Sequence, residues 1–445
     1  MQLRKMPIGA TLAAATCSLL GSLPAAPAAA QEAKDWGVDT SLLYYGEDNG
    51  RVEDVSLMAS IRRAFDEDRV LNATLTVDSL TGATPSGAVP ANFTQTFTGP
   101  SGGGSYTVAP GEQPLDTTFL DTRVALSTSW QQALGQATRW SVGFSGSDEY
   151  DYLHLGLDAR LERDFNMRNT TTFIGVAYGQ DDIKPVGGIP LGLAPMGGEV
   201  EDDGEDDDDG DDDGSERGRS ADGSKDVADL LIGVTQVLSR RSLLEVAYSY
   251  GQADGYLTDP YKILSVVDPV TGVPVAGPED EVPYLYLYEN RPDSRTKQSL
   301  FAEWRYAFDR DSFALNFRFM DDDWGVQSQT AEARYRWNIN DRSYLEPHLR
   351  WYTQSAADFY RTVLFAGDAL PEFATADYRL ADLDAYTIGA KYGLRSDHGE
   401  FSVRLEYYQQ APTESPGSAV GDLAGFDLTP DMKAVIVQFG YKFDF

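Results

Sequence analysis

Hydrophobic and polar residues alternate with a period of two along most of the chain. In "SLFAEWRYAF" (299–308), one face carries Leu300 and Trp304, and the other carries Glu303 and Arg305. Because successive side chains of a β-strand point to opposite sides, this period predicts strands with one apolar and one polar face. We predict about sixteen such strands, beginning near residues 36, 51, 68, 117, 138, 152, 170, 226, 242, 297, 312, 326, 343, 381, 401 and 432.

The connections between these strands fall into two classes. Every second connection is a short polar turn, whereas the alternate ones are often long, at about 79–116, 182–225, 253–296, 355–380 and 411–431. A soluble β-sandwich also has alternating strands, but nothing in its architecture sorts loops by parity. A bacterial outer-membrane barrel has short periplasmic turns and long extracellular loops, with the apolar face toward lipid and the polar face toward the lumen. The sequence therefore predicts an all-β, transmembrane, antiparallel up-and-down β-barrel.

The first thirty residues have the layout of a secretory signal. Arg4 and Lys5 precede an apolar run at 8–20, and Ala28 and Ala30 then form a small-residue cleavage site. We predict a cleaved signal peptide at 1–30, a barrel domain at 31–445 and a location in the outer membrane of a Gram-negative cell. The single cysteine lies inside the signal, so a disulfide is not expected in the mature chain.

The chain is strongly acidic, with 70 acidic and 36 basic residues and a net charge of −34. This charge argues against nucleic acid as a partner. Many of the acids lie in one tract, 199–213, for which we predict a solvated, disordered extracellular loop. Its aspartate spacing begins like a calcium-binding EF loop, but Ser220 stands where that loop needs glutamate. We expect this tract to bind divalent cations weakly at most. We expect no specific metal site and no cofactor.

The polar faces of the strands are expected to line the lumen. One interpretation is that their charged residues solvate the bore and pair across strands. Another is that an arginine stripe on three consecutive strands faces an acidic screen and confers charge selectivity. The stripe consists of Arg318, Arg334, Arg336 and Arg350, and the other lumen candidates are Asp158, Arg160, Glu162, Glu303, Arg305, Glu332, Glu346, His348, Arg404 and Glu406.

Enzyme chemistry finds little support in the sequence. The chain has three histidines, His154, His348 and His398, and none has the spacing of a nucleophile–base pair or a metal cluster. We therefore predict that the protein is not an enzyme, and assign no catalytic residue.

The sequence ends in "QFGYKFDF", with aromatic residues at alternate positions. Gln438, Gly440, Phe443 and Phe445 resemble the β-signal read by the barrel-assembly machinery, which makes that machinery an expected partner. The last strand must pair with the first to close a barrel, and we expect this pairing near Val38–Tyr45. The aromatic face of the strand should then meet outer-membrane lipid.

Three stretches carry a resemblance to a known family. "TGATPSG" at 81–87, "TFTGPSG" at 96–102 and "FLDTR" at 119–123 resemble the proteobacterial outer-membrane barrel family catalogued as domain of unknown function 3570. The resemblance implies a secreted barrel with no established substrate. Such proteins are often encoded near a periplasmic flavin transferase and thioredoxin-like proteins, which hints at a redox-linked envelope system.

Two functions therefore stay open from the sequence. The first is a porin-like channel for a polar or charged solute. The second is an outer-membrane scaffold or export partner of a redox-linked periplasmic system, which binds other envelope proteins and has a loop-filled, non-conducting bore.

Overall fold

The computed structural model describes residues 36–66, 68–98, 105–185, 188–196, 219–220, 222–277, 284–413 and 419–444. Within them, sixteen antiparallel strands form one closed barrel, as the alternating pattern predicted. The strands are β1 (Trp36–Glu47), β2 (Glu53–Ala64), β3 (Arg69–Pro85), β4 (Leu115–Ala133), β5 (Thr138–Asp148), β6 (Tyr152–Phe165), β7 (Thr170–Ile183), β8 (Gly223–Ser239), β9 (Ser242–Gly255), β10 (Ser294–Ala307), β11 (Ser312–Asp322), β12 (Gln327–Asn338), β13 (Ser343–Gln354), β14 (Leu383–Ser396), β15 (Gly399–Pro412) and β16 (Met432–Asp444).

Short elements in the connections complete the structure. Gln95–Thr98 pairs with Ser105–Val108, Ile189–Pro190 pairs with Arg219–Ser220, and Ile263–Val267 lies between Tyr286–Tyr288 and Leu364–Phe365 in a small sheet. Single 3-10 turns occupy Asp48–Gly50, Asn166–Arg168, Tyr378–Leu380 and Gly421–Gly425. None of the helices in the described ranges is long or apolar enough to span a bilayer.

The barrel closes by pairing of its first and last strands. Val38 lies opposite Phe443 and Tyr45 lies opposite Ile436, so the predicted pairing near Val38–Tyr45 is confirmed. Phe439 and Tyr441 are exposed on the outer face. Gln438 and Gly440, which alternate with them, therefore face the interior. Phe445, the last residue of the predicted β-signal, lies outside the described residues.

The outer surface of the barrel is apolar. Large aliphatic and aromatic side chains are exposed at outward positions around the barrel, for example Leu57 (55%), Leu157 (63%) and Ile388 (58%). A continuous apolar band of this kind is unfavourable in water and favourable in hydrocarbon. The closed ladder also leaves no strand edge unpaired, which a bilayer requires. Lipid therefore covers the faces that a soluble fold would bury.

The two rims differ as the parity of the connections predicted. The turns at 65–68, 134–137, 166–169, 240–241, 308–311, 339–342 and 397–398 are all short and lie on one rim, which we assign to the periplasm. The long loops lie on the opposite, extracellular rim.

The first long loop begins at residue 86 rather than at the predicted 79. Strand β3 continues to Pro85 because its ladder with β4 resumes beyond a register shift between Gly82 and Thr84. Gly82 adopts a φ of +122°, and a Cβ there would lie 2.0 Å from the carbonyl oxygen of Arg51. Only glycine fits that combination of angle and close backbone approach. The predicted signal peptide (1–30) and acidic tract (199–213) lie outside the described residues.

Candidate functional site

The interior of the barrel is the candidate functional site. Every lumen candidate proposed from the sequence lies on the inward face, opposite the exposed apolar residues of its strand. In the periplasmic half several of these side chains remain open to solvent, since Arg334 keeps 45% and Arg305 keeps 40% of its side-chain surface. Arg160 and Glu162 in the same half are buried. The periplasmic half of the bore, which we call the vestibule, is therefore charged and in part water-accessible.

The arginine stripe does not exist as four free cations. Arg334 forms an ion pair with Glu332 at 2.5 Å, and Arg336 forms one with Glu346 at 2.7 Å. Among the described residues, no carboxylate pairs with Arg318 or Arg350. The Arg336–Glu346 pair joins two strands, whereas Arg334 and Glu332 lie two residues apart on β12. Cross-strand pairing therefore describes one arginine of the stripe, and the acidic partners lie beside the arginines rather than across the bore. Arg404 similarly pairs with Glu406 at 3.1 Å.

His348 forms a junction between carboxylates on two other strands, which the sequence did not reveal. Its Nδ1 lies 2.9 Å from Glu406 on β15, and its Nε2 lies 3.2 Å from Glu332 on β12. Gly389 on β14 lies directly between His348 and Glu406 in the ladder. A Cβ at Gly389 would come within 2.5 Å of the Glu406 side chain. Because Gly389 has no side chain, His348 and Glu406 can contact each other across β14.

The His348 junction suits ion pairing better than metal binding. Its two carboxylates contact opposite ring nitrogens, so the ligands diverge rather than converge on one point. No group of three or more acidic, histidine or cysteine side chains in the described part of the chain is arranged to hold a metal ion.

The extracellular half of the bore is covered. Lys225 at the start of β8 has no exposed side-chain surface and lies 3.2 Å from Asp181 on β7. Asp181 also accepts hydrogen bonds from Tyr152 at 2.5 Å and contacts His154 at 2.6 Å. Charged groups are buried in this way only when they are paired, because an isolated buried charge is very unfavourable. The inward-facing residues at the extracellular ends of these strands are therefore shielded from solvent by the loops above them.

Five extracellular loops form this cover, which we call the cap: the described residues of 86–114, 184–222, 256–293, 355–382 and 419–431. Its apolar side chains pack in clusters that join different loops. Val89, Val267, Val363 and Leu423 form one cluster, with one residue from each of four of these loops. Strand Ile263–Val267 also pairs with Leu364–Phe365 from another loop. Burial of this extent stabilises the loops against each other by the hydrophobic effect.

The cap fits closely against the barrel wall. A cavity of about 60 Å³ lies between them, with Arg51, Val89, Tyr378 and Leu383 among its lining residues. A buried water needs roughly 10–15 Å³ of such volume, so this cavity has room for a few waters.

A network of buried charges lies at the centre of the cap. Arg379 forms ion pairs with Asp259 at 2.6 Å and with Asp377 at 2.5 Å. Arg291 forms ion pairs with Asp377 and Glu289, each at 2.7 Å. Asp259, Glu289 and Asp377 each have 1% or less of their side-chain surface exposed.

Further hydrogen bonds connect this network to the rest of the cap. The Glu289 carboxylate accepts hydrogen bonds from the Asp259 backbone N–H at 2.7 Å and from the Thr375 hydroxyl. Lys262 donates to the carbonyl of Pro85, at the end of β3. The network contains three acidic and three basic residues, so its formal charges balance. It joins the loops 256–293 and 355–382 to each other and to β3 of the barrel wall. We call this group the ionic latch: Asp259, Lys262, Glu289, Arg291, Asp377 and Arg379.

The latch stabilises the charged form of Asp377. Burial alone would raise its pKa, but the neighbouring Arg379, Arg291 and Lys262 outweigh burial and hold the pKa of this carboxyl below its usual range. Sequence reasoning missed the latch. The sequence contains one feature that could have indicated it: twice in the loops an acidic residue is followed two positions later by an arginine, at Glu289 and Arg291 and at Asp377 and Arg379.

Glu149, in the turn between β5 and β6, should make stability depend on pH. Burial, followed by the charge of Asp121, raises its pKa to about 7. The unfolded chain loses this proton near pH 4.5, so the folded state is progressively destabilised as pH rises from about 4.5 to 7. We expect Glu149→Gln to stabilise the barrel by about 2 kcal/mol at pH 8 and to have little effect at pH 5. Urea unfolding from vesicles at both pH values measures this.

The exposed Glu112→Gln is the matched control for that experiment and should not differ between the two pH values. An equal gain for Glu149→Gln at pH 5 and pH 8 would contradict the assignment.

The apolar outer band, the closed strand ladder and the charged interior together define an outer-membrane β-barrel. The chain belongs to the protein family of unknown function DUF3570, whose family model matches residues 9–443. No curated protein matches the chain.

Solved barrels match the fold at low similarity. The toluene transporter TodX of Pseudomonas putida is 10% identical, with a TM-score of 0.38 over 96% of this chain and 93% of that one. The siderophore receptor PirA of Acinetobacter baumannii is 10% identical, with a TM-score of 0.40, and CdiB of the same organism is 8% identical, with a TM-score of 0.42. The match to PirA covers 86% of this chain and 54% of PirA. The match to CdiB covers 92% of this chain and 61% of CdiB. At these scores we draw no functional conclusion from the three proteins.

Proposed function

We propose that this protein is an outer-membrane channel for a polar or charged solute, and that the cap opens to allow passage. The observation that carries the proposal is the contrast between the two halves of the bore. Arg305 and Arg334 remain solvent-accessible in the periplasmic half, whereas Asp181 and Lys225 are buried beneath the cap. A barrel that served only as a scaffold would need no wetted, charged vestibule below a closed cover.

The cover is also held by contacts that can separate. The cap is joined by side-chain clusters, a short parallel strand pairing and the ionic latch, and it does not continue the barrel ladder. Loops held by such contacts open locally at a lower cost in free energy than barrel strands, whose separation exposes backbone groups to lipid. Channel opening in this proposal is a movement of loops within an intact barrel.

The lumen suggests which solutes are favoured. Most charges in the vestibule are paired locally, as with Arg336 and Glu346, so they provide polarity without a strong net field. Arg318 and Arg350 are the arginines of the stripe that form no ion pair with a described carboxylate, although Glu332 lies opposite Arg350 in the ladder and interacts with its charge. They favour an anionic or zwitterionic solute over a cation, since rings of unpaired cations select for anions.

Reconstitution of the purified full chain into planar bilayers tests the proposal. We expect discrete but infrequent conductance steps for the wild-type barrel. In a salt gradient, the reversal potential should show a mild anion preference, and this preference should fall when Arg318 and Arg350 are both replaced by glutamine. A membrane that stays sealed at all voltages, even after the cap has been released, would refute the channel.

The second candidate is the outer-membrane scaffold or export partner of a redox-linked periplasmic system. The closed cap favours this alternative, because a non-conducting barrel can have its extracellular end permanently filled. The same bilayer experiment separates the two functions: a folded barrel without conductance in any cap variant would support the scaffold.

A further inference from the structure

We propose that an aromatic–arginine cluster on the outer surface of the barrel, formed by Trp36, Arg63 and Phe65, binds the phosphate of an anionic phospholipid in the periplasmic leaflet. The proposal concerns the lipid-facing surface and does not depend on whether the bore conducts.

The first step is the position of Arg63. It is two residues from Ile61, an outward-facing side chain that is 43% exposed, so it points toward lipid as well. In the ladder it lies opposite Trp36 on β1 and Leu71 on β3, next to the turn at 65–68. That turn belongs to the periplasmic rim. Arg63 thus lies at the height where the membrane changes from hydrocarbon to headgroups, the only zone in which a lipid-facing charge is tolerated at low cost.

The second step is the packing around the guanidinium. Its central carbon lies 4.6 Å from the centroid of the Trp36 ring and 4.4 Å from that of Phe65. The Phe65 ring in turn packs on Trp130 of β4, with centroids 5.5 Å apart. Aromatic faces attract the cation and restrict its rotamers, so the entropy lost when it binds an anion is smaller. The side chain is held in place before any ligand arrives.

The third step is the absence of a competing acid. Asp66, which directly follows Phe65 in the turn at 65–68, is already paired with Arg69 at 2.6 Å. No carboxylate among the described residues forms an ion pair with Arg63. A stacked guanidinium keeps its N–H edge free, and that edge matches a phosphate with two parallel hydrogen bonds. The charge and the geometry both fit a phosphate oxygen pair.

A second position on the same rim repeats the arrangement. Arg163, at the outward-facing end of β6, lies 5.3 Å from the centroid of the Phe165 ring. At the opposite rim, outward positions near the strand ends carry carboxylates, including Glu53, Asp226 and Asp254. The outer surface therefore attracts anions at its periplasmic end, where the leaflet contains phospholipids. A juxtamembrane arginine contributes about 1 kcal/mol toward anionic lipid, or roughly a fivefold change in affinity.

Lipid retention in native mass spectrometry tests this site. The full chain, purified in detergent, is titrated with phosphatidylglycerol or phosphatidylethanolamine of the same acyl chains, and bound lipids are counted. We expect the wild type to retain phosphatidylglycerol more strongly. Arg63→Gln should lower its apparent affinity roughly fivefold, and Arg63→Lys should recover part of it. Arg240→Gln, which removes the same charge from a turn on the same rim, is the matched control.

Two results would overturn the proposal. One is equal retention of the two lipids by the wild type, which would mean that the site does not favour an anionic headgroup over a zwitterionic one. The other is an equal loss with Arg63→Gln and Arg240→Gln, which would indicate attraction to the rim as a whole. Heat-modifiable migration on gels establishes that each variant is folded, so a change in retention cannot arise from loss of the barrel.

Discussion

Replacing Arg379 with glutamine is expected to convert a rarely open barrel into one that conducts most of the time. Arg379 bridges Asp259 and Asp377 at the centre of the cap. Its removal leaves two buried carboxylates with too little positive charge around them. Removing one partner of a buried ion pair typically costs about 3–5 kcal/mol, and the lower end applies because 30% of the Arg379 side chain is exposed.

The loss of this ion pair destabilises the closed cap and does not affect the hydrogen-bonded strands of the barrel. A change of about 3 kcal/mol alters an equilibrium between closed and open loops by more than a hundredfold. Single-channel recordings in planar bilayers measure the open fraction directly. Because the sixteen strands are untouched, the unfolding free energy of the barrel itself should change little.

Arg361→Gln provides the matched control for this prediction. Arg361 lies in the same loop and is exposed, and among the described residues its guanidinium donates to the backbone carbonyls of Asp358 and Tyr360 and to no carboxylate. Its loss should leave the open fraction unchanged. If Arg379→Gln remained as closed as Arg361→Gln, the ionic latch would not be what keeps the cap closed.

Two neighbouring residues on β11 should differ sharply in their response to substitution by arginine. Phe317 faces outward and is 43% exposed, whereas Asn316 faces the lumen between Glu303 and Glu332. Phe317→Arg places a charge against hydrocarbon and should destabilise the barrel by about 2–4 kcal/mol. Asn316→Arg places the same charge beside two carboxylates in water and should be nearly neutral. Reversible urea unfolding in phospholipid vesicles measures both.

The comparison tests the inside–outside assignment of the whole barrel. Since the two residues are adjacent, they share their depth in the membrane and their distance from the rims. If Asn316→Arg proved as harmful as Phe317→Arg, the lumen at this depth would be dry and filled. If Phe317→Arg were harmless, the apolar face would not meet lipid.

Much of the fold could be predicted because its determinants are local. Alternation in residues 299–308 depends only on the two-residue period of a strand, and it correctly separates Trp304 from Glu303. The pairing of β1 with β16 followed from closure, since a membrane barrel cannot leave an edge strand exposed. The alternation of short and long connections then indicated which rim is periplasmic and which is extracellular. These inferences need no knowledge of which side chains touch.

The interior contacts could not be predicted because they depend on register. A shift of one residue between β13 and β14 would replace Gly389 opposite His348, and the contact with Glu406 would be blocked. The pairing between β12 and β13 is itself interrupted between Arg334 and Trp337. Pro347 lies on β13 opposite this gap, and it has no N–H to donate. The ion-pair partners of Arg334 and Arg336 thus depend on local geometry that the sequence pattern does not contain, although each stripe residue faces the lumen as predicted.

The cap was unpredictable for a different reason. Its clusters join residues far apart in sequence, such as Val89, Val267 and Leu423, and loops carry no periodic pattern that would indicate these contacts. Opposite charges two residues apart in a loop also occur on ordinary surfaces. Only the folded arrangement distinguishes a buried latch from solvated charges.

The pairing of β1 with β16 also constrains the order of events during biogenesis. Thr40 donates a hydrogen bond to the carbonyl of Tyr441, 401 residues further along the chain. Bringing such distant segments together costs about 5 kcal/mol in loop-closure entropy, and contacts of this kind form slowly. Until they form, every lipid-facing strand exposes its apolar side to water and to other chains. We therefore expect the unclosed polypeptide to need protection from aggregation, and a delay in the pairing of β16 with β1 should show first as aggregation and proteolysis of full-length chains.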